Sequence, residues 1–330
     1  MHLDVALFGA AGYAGLELAK LLATHPDVRL ACVASDTHAG KPVGELTGRD
    51  HGSLVFTTTE EALGVATRCA AALLAVPPQA AGRLATALAG AKLVDLSHAH
   101  RATPGVVYGL TSLFSAEISA AKLVANPGCY ATAVITAAAP LVRHGLVNGE
   151  LVVTAGSGVT GAGRSSDEAM SLGEMYGEVR AYKVLRHQHV PEIEAALGRI
   201  AQGGPSRDNP NSPRVILTTH LLPIARGIFG TLTVRLSRPM TSGALHELFR
   251  AEYAGDPTVV IAGGAEDVSL RRVVGTNRCL VGITAEERTA VVTVALDNLL
   301  KGAAGQALEN LNLMLGMPRM AGLAHLARHA

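Results

Sequence analysis

Cys129 lies in Asn126-Pro127-Gly128-Cys129-Tyr130, between a short apolar run at 122–125 and a longer one at 131–142. The first run reads as a strand. The second reads as a buried helix rich in Ala, Val and Ile, and Pro127-Gly128 supplies the turn between them. The cysteine then falls at a helix N-terminus, where unpaired backbone N–H groups and the helix dipole favour an anion. The thiolate is the nucleophilic form of cysteine, and such a setting lowers its pKa. The chemistry on offer is attack on an electrophilic carbon. A cysteine that merely packs as a small apolar residue is the plain alternative, and the turn by itself leaves both open.

A proton partner for such a nucleophile could come from residues 181–193, AYKVLRHQHVPEI. His187 and His189 stand at i and i+2, which in a strand would place them on one face. Either is an acid/base candidate, with a purely structural histidine as the alternative. No carboxylate or cysteine stands at a ligand spacing from the pair, so no metal site is expected. Glu192 is expected to begin a helix over 192–200 and to cap it. Two loops could receive an anion. A strand at 151–155 runs into Gly156–Ser166, a stretch of small residues with Arg164, able to offer N–H groups, hydroxyls and one cation. Arg226 sits in Leu221–Gly227, between apolar runs at 215–220 and 229–236. A flexible surface loop and an exposed turn cation are the respective alternatives.

The second chemical motif is Gly9-Ala10-Ala11-Gly12-Tyr13-Ala14-Gly15. A strand at 3–8 leads into it, a helix at 16–24 follows, and a second strand spans 28–35. That βαβ context is what a phosphate-cradling glycine turn requires, with the helix N-terminus facing a pyrophosphate. The spacing is GxxGxxG rather than GxGxxG, so the flanking elements carry the reading. The end of the second strand discriminates between nicotinamide cofactors. Asp36 could accept from a ribose 2′-OH, favouring NAD. Ser35, Thr37 and Lys41 could donate to a 2′-phosphate, favouring NADP. Residue chemistry alone leaves both open.

These groups need a scaffold. A strand at 70–76 closed by Pro77-Pro78, a helix at 79–88 and a strand at 92–96 continue the alternation of a doubly wound sheet. A chain of 330 residues exceeds one ordinary core, so two domains are expected. With 5 Phe, 6 Tyr and no Trp, the core must be filled by Ala, Val, Leu and Gly, as in parallel sheets packed closely by helices. A net charge of +1 argues against nucleic acid as a partner. The four cysteines are far apart and form no CxxC pair, which is weak for redox-pair or metal chemistry. The N-terminus shows no basic n-region, and no charge-free run reaches membrane-spanning length, so a cytoplasmic enzyme with no membrane partner is expected. A glycine-punctuated helix from Asp297 to Leu315 is expected to pack back on the first domain. The apolar strands at 215–220, 229–236 and 290–296 suggest a sheet interface between copies, hence a homo-oligomer, dimer or tetramer.

Taken together, the chain resembles the N-acetyl-γ-glutamyl-phosphate reductase family of arginine biosynthesis. The wider group includes aspartate-semialdehyde dehydrogenase and is similar in mechanism to glyceraldehyde-3-phosphate dehydrogenase. The match is carried by GAAGYAG (9–15), VANPGCYATA (124–133), SGVTGAGR (157–164), AYKVLRHQHVPEI (181–193), LLPIARG (221–227), GTN (275–277) and DNLLKGAAGQALENLNLMLG (297–316). The resemblance implies an α/β protein: a Rossmann-type doubly wound parallel sheet at 1–126 and 299–330, and an α+β catalytic and dimerisation domain of the glyceraldehyde-3-phosphate dehydrogenase-like type at 127–298. It implies that Cys129 is the nucleophile and His189 the acid/base residue. Arg101, Asn126, Ser157, Arg164 and Arg226 are expected near the acyl phosphate substrate, with Asn126 as an oxyanion donor. Gly9, Ala11, Gly12, Tyr13, Ala14, Gly15, Ser35, Asn277 and Asn298 are expected at the cofactor. The family uses NADPH, yet often carries Arg where this chain has Asp36, so NAD stays open. The family's Ser-Ala-Asp-Phe-Arg is replaced by Ser97-His98-Ala99-His100-Arg101, followed by a shorter stretch. A reductase of an aspartyl- or aminoadipyl-type acyl phosphate and a non-catalytic dinucleotide sensor are the alternatives.

Overall fold

A computed structural model describes residues 2–163, 172–201 and 212–327. The chain forms two compact units, one of Met1–Gly128 with Ala303–His325, the other of Cys129–Gly302 joined by Leu326.

The first unit is built on a seven-stranded sheet in the order β3-β2-β1-β4-β5-β7-β6. Its strands are β1 (Leu3–Phe8), β2 (Val28–Ala34), β3 (Phe56–Thr57), β4 (Ala71–Leu74), β5 (Lys92–Asp95), β6 (Val107–Tyr108) and β7 (Leu123–Ala125). Every pairing is parallel. The helices α1 (Tyr13–Leu22), α2 (Val43–Thr47), α3 (Thr59–Ala66), α4 (Pro78–Ala87) and α5 (Thr111–Ala120) connect them. Val5 to Phe8 and Ala71 to Leu74 are wholly buried. Strands covered on both faces read as unbroken apolar runs, as expected for a parallel sheet. The strand order reverses between β1 and β4, and ligands of such sheets bind outside the strand C-termini at that switch.

The second unit opens with α6 (Cys129–Arg143), buried throughout from Tyr130 to Val142. A second seven-stranded sheet, mixed in direction, runs β12-β13-β14-β11-β8-β10-β9. Its members are β8 (Leu151–Gly158), β9 (Arg180–Tyr182), β10 (Val215–Leu222), β11 (Ile228–Arg235), β12 (Val259–Ile261), β13 (Cys279–Glu286) and β14 (Thr289–Leu296). β8 pairs in parallel with β10 and antiparallel with β11, so the two apolar runs flanking Arg226 lie on either side of it. α6 packs on β11, β13 and β14 beside α7 (Val190–Ile200) and α8 (Ser242–Glu252). Its alanines let the helix come close to the sheet, which explains a core with so few aromatics.

After β14 the chain makes one π-helical turn at Leu300–Ala304 and continues as α9 (Gly305–Met314). α9 packs on α5 and β5 within the first unit. Among the described residues, no helix is long and apolar enough to cross a membrane.

Candidate functional site

Cys129 is the first residue of α6, half-buried, and none of the four cysteines is in a disulfide. The helix starts two residues earlier than the apolar run implied, which puts the sulfur in its first turn. The π turn presses against it. A Cβ built on Gly302 would lie 2.8 Å from Cys129 Cβ, so only glycine allows this approach. π turns recur at functional sites, where they re-aim a helix locally.

An aromatic cluster lies behind the cysteine. Tyr130 sits edge-on to His187, with ring centroids 5.3 Å apart, and His187 is 4.7 Å from His189. The Tyr182 hydroxyl donates to that of Tyr130 at 3.2 Å, and Tyr130 donates to the His220 carbonyl at 3.2 Å. Burial, with the nearby Cys129 adding to it, pushes the Tyr182 phenol up to about 12. Burial likewise pushes Tyr130 up. Both phenols therefore stay neutral donors.

The histidines do not share a strand face. Only Arg180–Tyr182 is strand, and Lys183 and Leu185 adopt left-handed φ of 48° and 59° that end it. His187 and His189 lie in the following turn, with His189 as the N-cap residue of α7. The helix begins at Val190 rather than Glu192, so Glu192 falls in its first turn, buried, and the N-cap position belongs to His189. Glu192 Oε1 instead lies 3.7 Å from His189 Nε2, a buried carboxylate facing a buried imidazole. Such a partner orients the ring. His187 is different: its Nδ1 accepts the His189 backbone N–H at 3.2 Å, which puts its proton on Nε2. Burial, with the Lys183 charge adding, drives it down to about 4. His187 is thus neutral near pH 7, whereas His189 keeps the carboxylate partner.

The anion-binding candidates of this unit converge on the end of β8. Ser157 is buried there. The next residues zip to the Arg226 loop through Gly158 N to Gly227 O (2.9 Å) and Thr160 Oγ1 to Ala225 O (2.7 Å). Asn298 fastens the two loops, accepting from Gly227 N at 2.7 Å and donating to Thr160 Oγ1 at 3.0 Å. Arg226 Nε stands 3.4 Å from Asp297 Oδ2, a carboxylate with no exposed surface. Asp297 also accepts Gly275 N at 2.9 Å, Leu299 N at 2.8 Å and Leu300 N at 3.1 Å. It therefore braces the π turn by hydrogen bonds and faces the guanidinium as an ion-pair partner. Asn277 is buried, with its backbone N–H on the Leu326 carbonyl at 3.2 Å. Arg164 lies outside the described residues.

In the first unit, Gly9 adopts φ +77°, and a Cβ there would overlap the Ala75 carbonyl, so the β1–α1 turn needs glycine. Gly12 is the N-cap of α1, with no capping side chain and no acidic residue in the first turn. An uncapped helix start behind a tight glycine turn fits a dinucleotide pyrophosphate; Gly9, Ala11, Gly12, Tyr13, Ala14 and Gly15 would hold it. Ser35 is buried at the end of β2. Arg101 donates from Nε to the Asn126 carbonyl (2.8 Å) and from Nη2 to the Leu96 carbonyl (2.7 Å). The Asn126 amide accepts from Asn310 Nδ2 at 2.9 Å and donates to the carbonyls of Ala303 (3.3 Å) and Pro127 (3.4 Å). Asn126 thus braces the Asn-Pro-Gly turn in this unit. His100 Nδ1 meets the buried Asp95 carboxylate at 2.7 Å, a use of the altered loop that sequence did not foresee.

Comparison with known proteins agrees with this architecture. Residues 4–121 match the family model described as semialdehyde dehydrogenase, NAD binding domain, and residues 129–298 match semialdehyde dehydrogenase, dimerisation domain. Among solved structures, aspartate semialdehyde dehydrogenase II of Vibrio cholerae, complexed with ASA, superposes with a TM-score of 0.75 at 16% identity, covering 96% of this chain and 99% of that one. Aspartate semialdehyde dehydrogenase with NADP from Candida albicans gives 0.73 at 15% identity, with both chains fully covered. The class is therefore that of the semialdehyde dehydrogenases. Curated relatives are much closer in sequence. The protein of Geobacillus kaustophilus named N-acetyl-gamma-glutamyl-phosphate reductase is 36% identical over 351 aligned positions, 98% of this chain and 99% of its own length. That of Pelotomaculum thermopropionicum is 35% identical, covering 98% of each. The chain belongs to the N-acetyl-gamma-glutamyl-phosphate reductase family.

Proposed function

We propose that this chain reduces N-acetyl-γ-glutamyl phosphate to N-acetylglutamate semialdehyde with release of phosphate, using NADPH, as a step of arginine biosynthesis. The observation that carries the reading is Cys129 in the first turn of α6, with the His189–Glu192 pair behind Tyr130, in a chain whose relatives bear this name along its full length.

The Cys129 sulfur attacks the acyl carbon, the C–O bond to phosphate breaks, and a thioester forms on the enzyme. Splitting the reaction at a covalent intermediate replaces one hard step with two easier ones. N–H groups at the start of α6 stabilise the carbonyl oxygen as it gathers charge in each step. Arg226, steadied by Asp297, and the Ser157 loop receive the departing phosphate. When bound, the nicotinamide supplies the hydride that reduces the thioester. His189 gives a proton to the resulting thiohemiacetal oxygen and takes it back as the aldehyde leaves and the thiolate returns; Glu192 stabilises the charged ring between these events. The first unit binds the dinucleotide through residues 9–15 and Ser35, while the second carries catalysis and assembly. The unit matching a dimerisation model supports a homo-oligomer, dimeric or tetrameric, formed through the second sheet, working in the cytoplasm.

The test is phosphate-dependent reduction of NADP by N-acetylglutamate semialdehyde, run beside aspartate and aminoadipate semialdehydes. At least a tenfold higher kcat/KM for the acetylglutamate compound is expected. Preference for either of the others, or no turnover with any, would overturn the assignment.

A further inference from the structure

The end of β2 is where a nicotinamide dinucleotide is told from its 2′-phosphorylated form, and Asp36 there would ordinarily select against the phosphate. The structure gives Asp36 another occupation. Its Oδ1 accepts the Thr59 backbone N–H at 2.7 Å, and its Oδ2 accepts the Thr59 hydroxyl at 2.9 Å. Thr59 is the first residue of α3, whose start is further fastened by a reciprocal pair between Thr58 and Glu61. The aspartate thus closes the N-terminus of α3, accepting from a backbone N–H that the helix leaves unpaired.

With that carboxylate drawn onto α3, the polar groups left at the strand end are two hydroxyls and an imidazole, each able to donate to an anion. Ser35 Oγ, Thr37 Oγ1 and His38 Nδ1 form a triangle with sides of 3.3, 3.3 and 2.9 Å. The His38 ring leans on Phe56 of β3, with centroids 5.9 Å apart, which fixes its direction. The loop sits directly against the glycine turn: Gly9 N and Ala10 N both donate to the Ala34 carbonyl at 3.1 Å. A dinucleotide held by that turn would bring its adenosine ribose to this triangle.

We infer that His38, with Ser35 and Thr37, forms the 2′-phosphate site of this chain, and that Thr59 is the positioning residue that makes it possible by holding Asp36 aside. The site takes a ribose 2′-phosphate monoester. A guanidinium at position 36 is not needed, because an imidazole two residues on and two hydroxyls take its place. This rests on the reading of the first unit as a dinucleotide-binding unit.

The test is direct binding of adenosine 2′,5′-bisphosphate and of 5′-AMP to the full chain by calorimetry, read as the ratio of the two affinities. The ratio needs no turnover and cancels general damage to the fold. Wild type should favour the bisphosphate about 10-fold or more, the scale of one or two charge-assisted hydrogen bonds. His38→Ala should remove most of that preference, and Lys41→Ala should not. Asp36→Asn should leave the ratio within about threefold, because the carboxylate already faces away. Thr59→Val should release Asp36 and lower the ratio, whereas Thr59→Ser, which keeps the hydroxyl, should restore it. A preference that survives His38→Ala, or that rises about 10-fold in Asp36→Asn, would overturn the inference while leaving NADPH as the cofactor. Equal affinities in wild type would instead overturn the choice of NADPH, and this site with it.

Discussion

Gly302→Ala is a single methyl group placed against the proposed nucleophile. The added Cβ would lie 2.8 Å from Cys129 Cβ, 3.2 Å from Leu296 Cδ1 and 3.3 Å from the Asp297 carbonyl. Non-bonded carbons settle at about 3.5–4.0 Å, so the pair is short by roughly 1 Å. The π turn has little freedom to retreat, because Gly302 N donates to Asp297 O at 2.9 Å and the buried Asp297 carboxylate grips Leu299 and Leu300. Cys129 must give way. Overpacking of this kind costs about 1–3 kcal/mol of stability. A reacting atom displaced by about 1 Å loses on the order of 100-fold in rate. The expected phenotype is thus a folded enzyme with kcat down 10- to 100-fold. Its melting temperature should fall by several degrees. Alkylation by iodoacetamide reports on the same sulfur, since Cys32, Cys69 and Cys279 are buried and burial holds the Cys279 thiol up at about 12. Turnover within twofold of wild type at an unchanged alkylation rate would refute the packing argument.

Further variants separate the neighbouring roles. Cys129→Ser should lower turnover by several orders of magnitude while nucleotide binding, followed by fluorescence titration, stays intact. His189→Asn should cost about 100-fold in kcat, and His187→Asn clearly less; the reverse order would mean that the proton carrier has been misassigned. His187 also sets a pH dependence of stability. Its folded value of about 4 lies below the unfolded imidazole value of about 6.5, so the unfolded chain binds the extra proton between them. Its contribution is fully present above about pH 6.5 and is lost as pH falls towards 4, up to roughly 3 kcal/mol. Burial lowers His25 and His51 as well, with the same sign. Urea melts at pH 7.0 and 4.5 should show this loss, and His187→Asn should flatten it; identical slopes in the two proteins would rule the group out.

The features readable in sequence are those written in consecutive residues. A strand, Pro127-Gly128, Cys129 and an alanine-rich run can only turn a helix start towards the cysteine, and α6 does so. The glycine turn at 9–15 was legible through its flanking strand and helix despite an irregular spacing. What escaped depends on conformation or on distant partners. Alternation at 187–189 resembled a strand, but the left-handed residues Lys183 and Leu185 end β9 early, and nothing apolar there signals it. With the helix start placed at 190, the i,i+3 spacing of His189 and Glu192 would have shown them facing each other. Asp36 finds its partner 23 residues on, and Arg226 finds Asp297 across 71 residues, pairings that only the folded chain brings together.

On the proposed mechanism, an acyl group passes through the Cys129 sulfur. Enzyme mixed with N-acetyl-γ-glutamyl phosphate in the absence of NADPH should release one phosphate per active site in a burst. Acid quenching and intact-mass analysis should then find an acetylglutamyl adduct on the peptide carrying Cys129, cleared by adding NADPH and absent in Cys129→Ala. Steady turnover with NADPH but no burst and no adduct on that peptide would contradict the account.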